Sequence, residues 1–202
     1  AAGRGDRGGG KGVVLNLLLR TVEETASTNE DMLADAHAGA SEGSWLRAVT
    51  QTAGRGRMGR AWESPPGNLF ASTLVRLQPH DPSPATLTLV AVVALHEVAS
   101  TYASGVRFTI KWPNDLMASG AKLAGILLER EGNAIVVGIG VNLAHHPKGL
   151  DRPVASLAAL IGHAPDAEAF CHDLAAGFAR WLGRWRNEGL ASVARAWEAA
   201  AH

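Results

Sequence analysis

Residues 51–62 read Gln51-Thr52-Ala53-Gly54-Arg55-Gly56-Arg57-Met58-Gly59-Arg60-Ala61-Trp62. Three glycines and three arginines fall within 54–60, so the segment has no apolar stripe to bury and reads as a loop. Glycine lets a backbone approach a ligand closely. Neighbouring guanidinium groups repel one another unless an anion neutralises them, and their planar forks match phosphate and carboxylate. Taken alone, such a run is more often a solvated basic surface loop. Gly54, Gly56 and Gly59 also spell G-x-G-x-x-G, but Trp62-Glu-Ser-Pro-Pro-Gly67 follows instead of a helix, so a nicotinamide or flavin enzyme is not expected.

Outward from the loop, Trp45–Thr50 reads as a strand delivering Gln51, and Pro65-Pro66-Gly67 as a turn into a strand over Asn68–Val75. Upstream, 13–24 reads as extended. Thr25-Ala26-Ser27-Thr28-Asn29 then leads into a short helix over EDMLADAHA, with Ser27 or Thr28 as its ordinary cap. Downstream come a largely apolar helix near 85–103, a strand over Val106–Lys111 and a turn at Trp112–Asp115. Ser119-Gly120 and Gly132-Asn133 read as hairpin turns around strands 122–129 and 134–143. The last third is helical: about 153–160, 166–187 and 189–200. Strands with interspersed helices, then hairpins, then helices indicate an α+β fold with a mixed β-sheet flanked by helices.

The bulk numbers bound the function. A chain of 202 residues, 47% hydrophobic, can bury one substantial core, expected over 13–202. Lys+Arg and Asp+Glu both total 19, which argues against a general nucleic-acid or membrane-surface binder and makes any anion binding local. The single cysteine, Cys171, forbids an internal disulfide and fits a reducing, cytoplasmic setting. No signal peptide and no apolar run long enough for a bilayer are read in the sequence. Residues 1–12 are Gly-rich and expected to be disordered. Their G-x-x-x-x-G-K at Gly5–Lys11 lacks the Ser/Thr, the preceding strand and the following helix of a phosphate loop. His145-His146 reads as solvated, Cys171 as a packed side chain, and Trp181 with Trp185 as one packed helical face. No metal ligands are assigned.

Five stretches in chain order carry more. They are Ser27-Thr28-Asn29; Gln51–Trp62 as Q-x-A-G-R-G-R-x-G-R-x-W; Lys111–Leu116 as K-W-P-N-D-L; Lys122–Leu127 as K-L-A-G-I-L; and Val137–Leu143 as V-G-I-G-V-N-L. Over roughly residues 15–200 the sequence resembles the biotin–protein ligases. These enzymes share a fold related to the class II aminoacyl-tRNA synthetases and attach biotin to a lysine of a carboxylase carrier domain. The arginine loop and K-W-P-N-D separate it from the related lipoate ligases.

The resemblance implies ATP and biotin as substrates, Mg²⁺, and two steps. Biotin first joins AMP with release of pyrophosphate, and the carrier lysine's amine then attacks the mixed anhydride. Lys122 is implied as the cation between biotin carboxylate and α-phosphate, with Lys111 on the phosphates. Arg57 and Arg55, assisted by Arg60, would cover phosphate and biotin as the loop closes. Ser27, Thr28 and Gln51 would bond the ureido group, with Gly54 and the Arg55 backbone adding amide contacts. Gly125 would leave room for the acyl chain, Trp62 would pack on the nucleotide, and Asn114 and Asn142 would lie near the adenosine. Asp115 could orient a lysine, a metal ion or the incoming amine. A glycine-rich loop of this kind is expected to be mobile when empty and ordered by its anions.

The resemblance implies a biotin carboxyl carrier domain as partner, with a homodimer as a candidate assembly. No DNA-binding domain is expected before the first strand, and the small C-terminal β-barrel of many bacterial members is expected to be absent after His202. Two other readings stand beside the biotin ligase. One is a lipoate or octanoyl ligase or transferase of the same fold; the other is a catalytically impaired biotin-binding module.

Overall fold

The computed structural model describes residues 18–201. The Gly-rich stretch 1–12 lies outside the described residues. Among the described residues, β1 (Leu19–Thr25), β2 (Trp45–Gln51), β3 (Leu69–Arg76), β4 (Phe108–Lys111), β5 (Asp115–Ala118), β6 (Ala121–Glu131) and β7 (Ala134–Val141) form one sheet. Their spatial order is β1-β2-β3-β7-β6-β5-β4. β1 and β2 run parallel through the crossover helix α1 (Thr28–His37), and every other neighbouring pair is antiparallel. A mixed sheet results because a parallel pair needs a long connection, whereas antiparallel strands can turn within two residues. At Ser119-Gly120 both turn residues have positive φ, 50° and 84°, the twist that suits a tight hairpin.

Alternation along the central strands assigns the two faces. In β3, Leu69, Ala71 and Val75 join the main core, while Leu74 joins a smaller cluster with Met32 and Ala36 of α1. In β7, Ile135, Val137, Ile139 and Val141 face the main core, and Ala134 and Val136 face α1. The main core is roofed by α2 (Leu87–Tyr102), α4 (Ala167–Asn187) and α5 (Leu190–Ala200). The segment Pro84–Tyr102, 19 residues with mean hydropathy 1.4, is long and apolar enough by composition to cross a membrane, which corrects the expectation that no run would be. Its apolar surface is spent on the sheet and α4: Leu87, Val90–Leu95 and Ala99 are buried, the pattern of a core helix. Trp181 and Trp185 pack beneath it and donate their indole N–H groups to Glu97 and Thr86 at 2.9 and 2.8 Å. Cys171 is buried, and that burial pushes its thiol up to about 12.

The helix expected over 153–160 forms only as α3 (Leu157–Ile161), capped by Ser156 Oγ accepting from Ala159 N–H. Residues 153–155 are extended instead. Lys122 N–H donates to Pro153 C=O and Ala155 N–H donates to Lys122 C=O, each at 2.9 Å. Pro153 cannot donate a backbone bond and disfavours a helical residue before it, so a ladder with β6 outcompetes the helix.

Candidate active site

Three glycines open a cavity of about 200 Å³ on the α1 face of the sheet. On that face β7 presents Ala134, Val136, Gly138 and Gly140 in turn. The larger residues meet α1, and the glycines leave space beyond its end. Strand register lines up a row across five strands: Phe70 pairs with Gly140, Gly140 with Gly125, Gly125 with Asp115, and Asp115 with Lys111. Partners in register share a face, so Phe70, Gly140, Gly125 and Asp115 form the floor. Lys111 continues the row one strand outward. It is exposed and does not line the cavity, lying on the same face next to Asp115.

The glycines are needed because their space is filled. A Cβ on Gly138 would sit 2.2 Å from Asn29 Oδ1, and one on Gly140 would sit 2.7 Å from the Trp62 indole. Gly125 is less tight, with Trp62 and Lys122 Nζ both 3.3 Å from such an atom. Trp62 therefore lies over the floor, and its buried Nε1 has no partner among the described residues. Gly138 and Gly140 escaped the sequence reading. Glycines on one face of an otherwise apolar strand were the available signal.

One corner of the cavity is polar. Ser27 occupies the first cap position of α1, yet its hydroxyl makes no cap bond. The Thr28 amide and hydroxyl both donate to Gln51 Oε1, at 2.9 and 3.1 Å, and Gln51 Nε2 donates to Ser64 at 3.1 Å. Behind them Ser72 Oγ lies 2.8 Å from Thr28 Oγ1 and 2.6 Å from Asn29 Oδ1, and Asn29 Nδ2 donates to Glu129 at 2.7 Å. Ser27, Thr28 and Gln51 line the cavity together. With Thr28 holding its carbonyl, Gln51 keeps one N–H for a ligand.

The cations divide by how they are held. Lys122 Nζ donates to Asp115 Oδ1 at 2.6 Å and sits 5.5 Å from the Trp62 ring centroid. Of the three expected roles for Asp115, the contact with the lysine is the one present here. Burial pulls the Lys122 ammonium below the ordinary lysine value; Asp115 opposes that, and Arg152 and Arg60 add to it. Arg55 is paired with Glu30 and Glu129, so it pins the loop to α1 and β6 rather than presenting an open charge. Arg57 Nη1 donates to Asn114 Oδ1 at 3.1 Å, while Asn114 Nδ2 donates to Ile126 C=O at 2.9 Å. Arg57, Arg60 and Asn114 line the cavity. The loop closes on itself through Gly56 N–H to Arg60 C=O at 2.7 Å and Trp62 N–H to Gly54 C=O at 2.9 Å.

Two expected contact residues are not among those lining this cavity. Gly54 does not line the cavity. A Cβ there would meet Trp62 O at 2.5 Å and Ser64 Oγ at 2.6 Å, so the loop's own closure requires this glycine. Asn142 is buried at the end of β7 and donates to Ala155 C=O at 3.1 Å. It holds segment 153–155 and does not line the cavity. Arg152, which no motif singled out, does line it. Among the described residues no group of three or more His, Cys, Asp or Glu could hold a metal.

The sequence profile of the biotin/lipoate A/B protein ligase family matches residues 21–144. The chain is 41% identical to a biotin–[acetyl-CoA-carboxylase] ligase of Paracoccus denitrificans, over 88% of this chain and 78% of that protein. It is 39% identical to the protein of the same name from Mycobacterium tuberculosis, over 84% and 65%. The biotin protein ligase of Aquifex aeolicus in complex with biotin and ATP superposes with a TM-score of 0.82 at 26% identity, covering 91% of this chain and 78% of that one. The matched span carries both the glycine floor and the Lys122–Asp115 pair, and the chain belongs to the biotin/lipoate A/B protein ligase family.

Proposed function

We propose that this chain is an ATP-dependent biotin–protein ligase that makes biotinoyl-5′-AMP and passes the biotinoyl group to a lysine of a biotin carboxyl carrier domain. The observation that carries this reading is the union, in one cavity, of a half-buried Lys122–Asp115 pair, the loop cations Arg57 and Arg60, and the Ser27–Thr28–Gln51 corner. A carboxylate and an α-phosphate repel strongly in a poorly hydrated site. Cations fixed before the reactants arrive cancel that repulsion without reorganising during the reaction. Lys122 holds the carboxylate oxygen against the α-phosphorus; the new O–P bond forms as pyrophosphate leaves. In the second step the carrier amine attacks the anhydride carbonyl, the C–O bond to phosphate breaks, and AMP departs. Holding both reactants in line accounts for much of the acceleration.

The polar corner suits a ureido ring, which needs donors and acceptors together. Asn114 and Trp62 take the nucleotide side and Gly125 the acyl chain. Mg²⁺ fits as an ion carried on the triphosphate. Among the described residues Asp115 is the one carboxylate lining the cavity, and it is engaged by Lys122; Mg²⁺ commonly uses substrate phosphates and one or two carboxylates. That ion would add positive charge at the phosphates. A cytoplasmic location follows from the substrates ATP and carrier protein and from the buried free thiol.

ATP–pyrophosphate exchange tests the reading. Exchange that requires biotin supports it. Exchange that requires lipoate overturns it in favour of a lipoate ligase, and biotin binding without exchange in favour of a binding module.

A further inference from the structure

Arg152 stands outside every stretch that pointed to the cavity, yet it lines the same cavity as Lys122, Arg57 and Arg60. Its position is set by the extended piece that follows it. The two bonds that flank Lys122 make a parallel bridge between Lys122 and Val154. Asn142 Nδ2 binds Ala155 C=O, and Leu157 N–H donates to Asn142 C=O at 3.0 Å. Arg152 is thus carried by a segment fastened to the backbone of Lys122 itself. Arg57 and Arg60 ride instead on an exposed loop tip, whose Met58 is 88% exposed.

The charges of the cavity do not balance. Glu30 and Glu129 neutralise Arg55, and Asp115 neutralises Lys122. Among the described residues Arg57, Arg60 and Arg152 form no ion pair, and Asp115 is the only carboxylate lining the cavity. Three guanidinium groups of one sign converge on a concave site and raise its potential for an anion. Two are on the loop; the third extends from the chain just before the segment anchored to Lys122. Lys111, expected to supply a cation from the sheet, sits one strand beyond the cavity.

We propose that Arg152 is a phosphate-binding residue of this site: a guanidinium carried next to the anchored 153–155 segment that bonds the α-phosphoryl group of ATP and keeps hold of the same group in biotinoyl-AMP. This rests on the ligase reading above. The α-phosphoryl group is the one implied because it must lie beside Lys122 for carboxylate attack, and the bridge residue Val154 ties Arg152 to that lysine. The lowering of the Lys122 ammonium by Arg152 also places the guanidinium within electrostatic reach of Nζ. A bidentate fork on two non-bridging oxygens is the geometry that arginine, rather than lysine, supplies.

The test compares wild type, Arg152→Gln and Arg152→Lys by calorimetric binding of biotin and of biotinol-5′-AMP, the stable analogue in which methylene replaces the anhydride carbonyl. Loss of one charge-assisted bond should weaken the analogue about 10- to 100-fold in Arg152→Gln. Biotin itself, which carries no phosphate, should bind within twofold of wild type, and Arg152→Lys should recover part of the loss. An unchanged affinity for the analogue overturns the proposal, as does an equal weakening of biotin and analogue, which would mark a structural role. A wild-type protein without biotin-dependent exchange overturns the ligase reading instead, so the two failures are distinguishable.

Discussion

In Asp115→Asn the Lys122 ammonium keeps a hydrogen-bond acceptor where Oδ1 stood at 2.6 Å but loses the negative charge opposite it. The two side chains are 12% and 20% exposed for Lys122 and Asp115, so water can replace little of what is lost. A hydrogen bond to a charged partner contributes about 1.5–3 kcal/mol and a neutral one about 0.5–1.5 kcal/mol, so the variant should be less stable by about 1–2 kcal/mol at pH 7. With a urea slope of about 2 kcal/mol/M, the unfolding midpoint should fall by roughly 0.5–1 M.

The pH dependence fixes the cause. Burial holds Lys122 below the ordinary lysine value and Asp115 raises it, so removing Asp115 lowers it further. A lysine depressed in the folded state costs stability in full below its folded value. That cost disappears as pH rises from the folded to the unfolded value. The gap between wild type and variant should therefore narrow from pH 7 to pH 10 in urea titrations followed by tryptophan fluorescence. The alkaline limb of biotin-dependent exchange should also move to lower pH. Equal midpoints at pH 7, or a gap that widens with pH, would refute the pairing argument.

Four further outcomes are expected. Arg57→Gly removes the bond to Asn114, and should release activated biotin that labels bystander lysines; a variant still selective for its carrier in a mixed-protein labelling assay would remove the gating role of the loop. Gly138→Ala forces a Cβ to 2.2 Å from Asn29 Oδ1. Overpacking of this kind costs about 1–3 kcal/mol, which a thermal melt should register as a drop of several degrees, and an unchanged melt would count against the Asn29 network. Biotin plus ATP should slow proteolytic cleavage within 54–64, and identical cleavage with and without them would contradict ligand-driven ordering. Arg186→Ala removes the guanidinium that bonds both Glu42 and Asp81 and leaves each with a backbone N–H only; the loss should be about 1.5–3 kcal/mol by denaturant titration. Burial pushes Glu42 up, but the bonds from Arg186 and the Arg76 N–H win and hold it below the usual carboxylate value. That stability is present above the unfolded value and lost as pH falls through the folded one. Acid sensitivity in this range should fade in the variant, and its persistence would assign it to another group.

Local patterns carried most of the elements. Hydrophobic alternation marked β3 and β7, hairpin residues marked the turns at Ser119-Gly120 and near Gly132, and the arginine loop with its companions marked the family. They also marked Lys122, Arg57, Asn114, Thr28 and Gln51 as residues that meet in one cavity. These are short-range signals, legible because period, turn chemistry and motif spacing are written in consecutive residues.

Register and long-range pairing were not legible in the same way. Whether Lys111 faces the reactants depends on which residue of β5 stands opposite it and how many strands separate that row from the cavity, and those facts belong to the sheet. Arg55 looks like its neighbours in the chain, and only the arrival of Glu129 from β6 turns it into an anchor. Gly54 and Asn142 read as ligand contacts in the sequence, and only the tertiary structure shows one packed in the loop's closure and the other bonded to the 153–155 segment. Arg152 carries no motif at all. It becomes part of the site because backbone bonds to Lys122 draw in a segment some thirty residues downstream, and such pairing is settled by the energy of the whole fold rather than by neighbouring side chains.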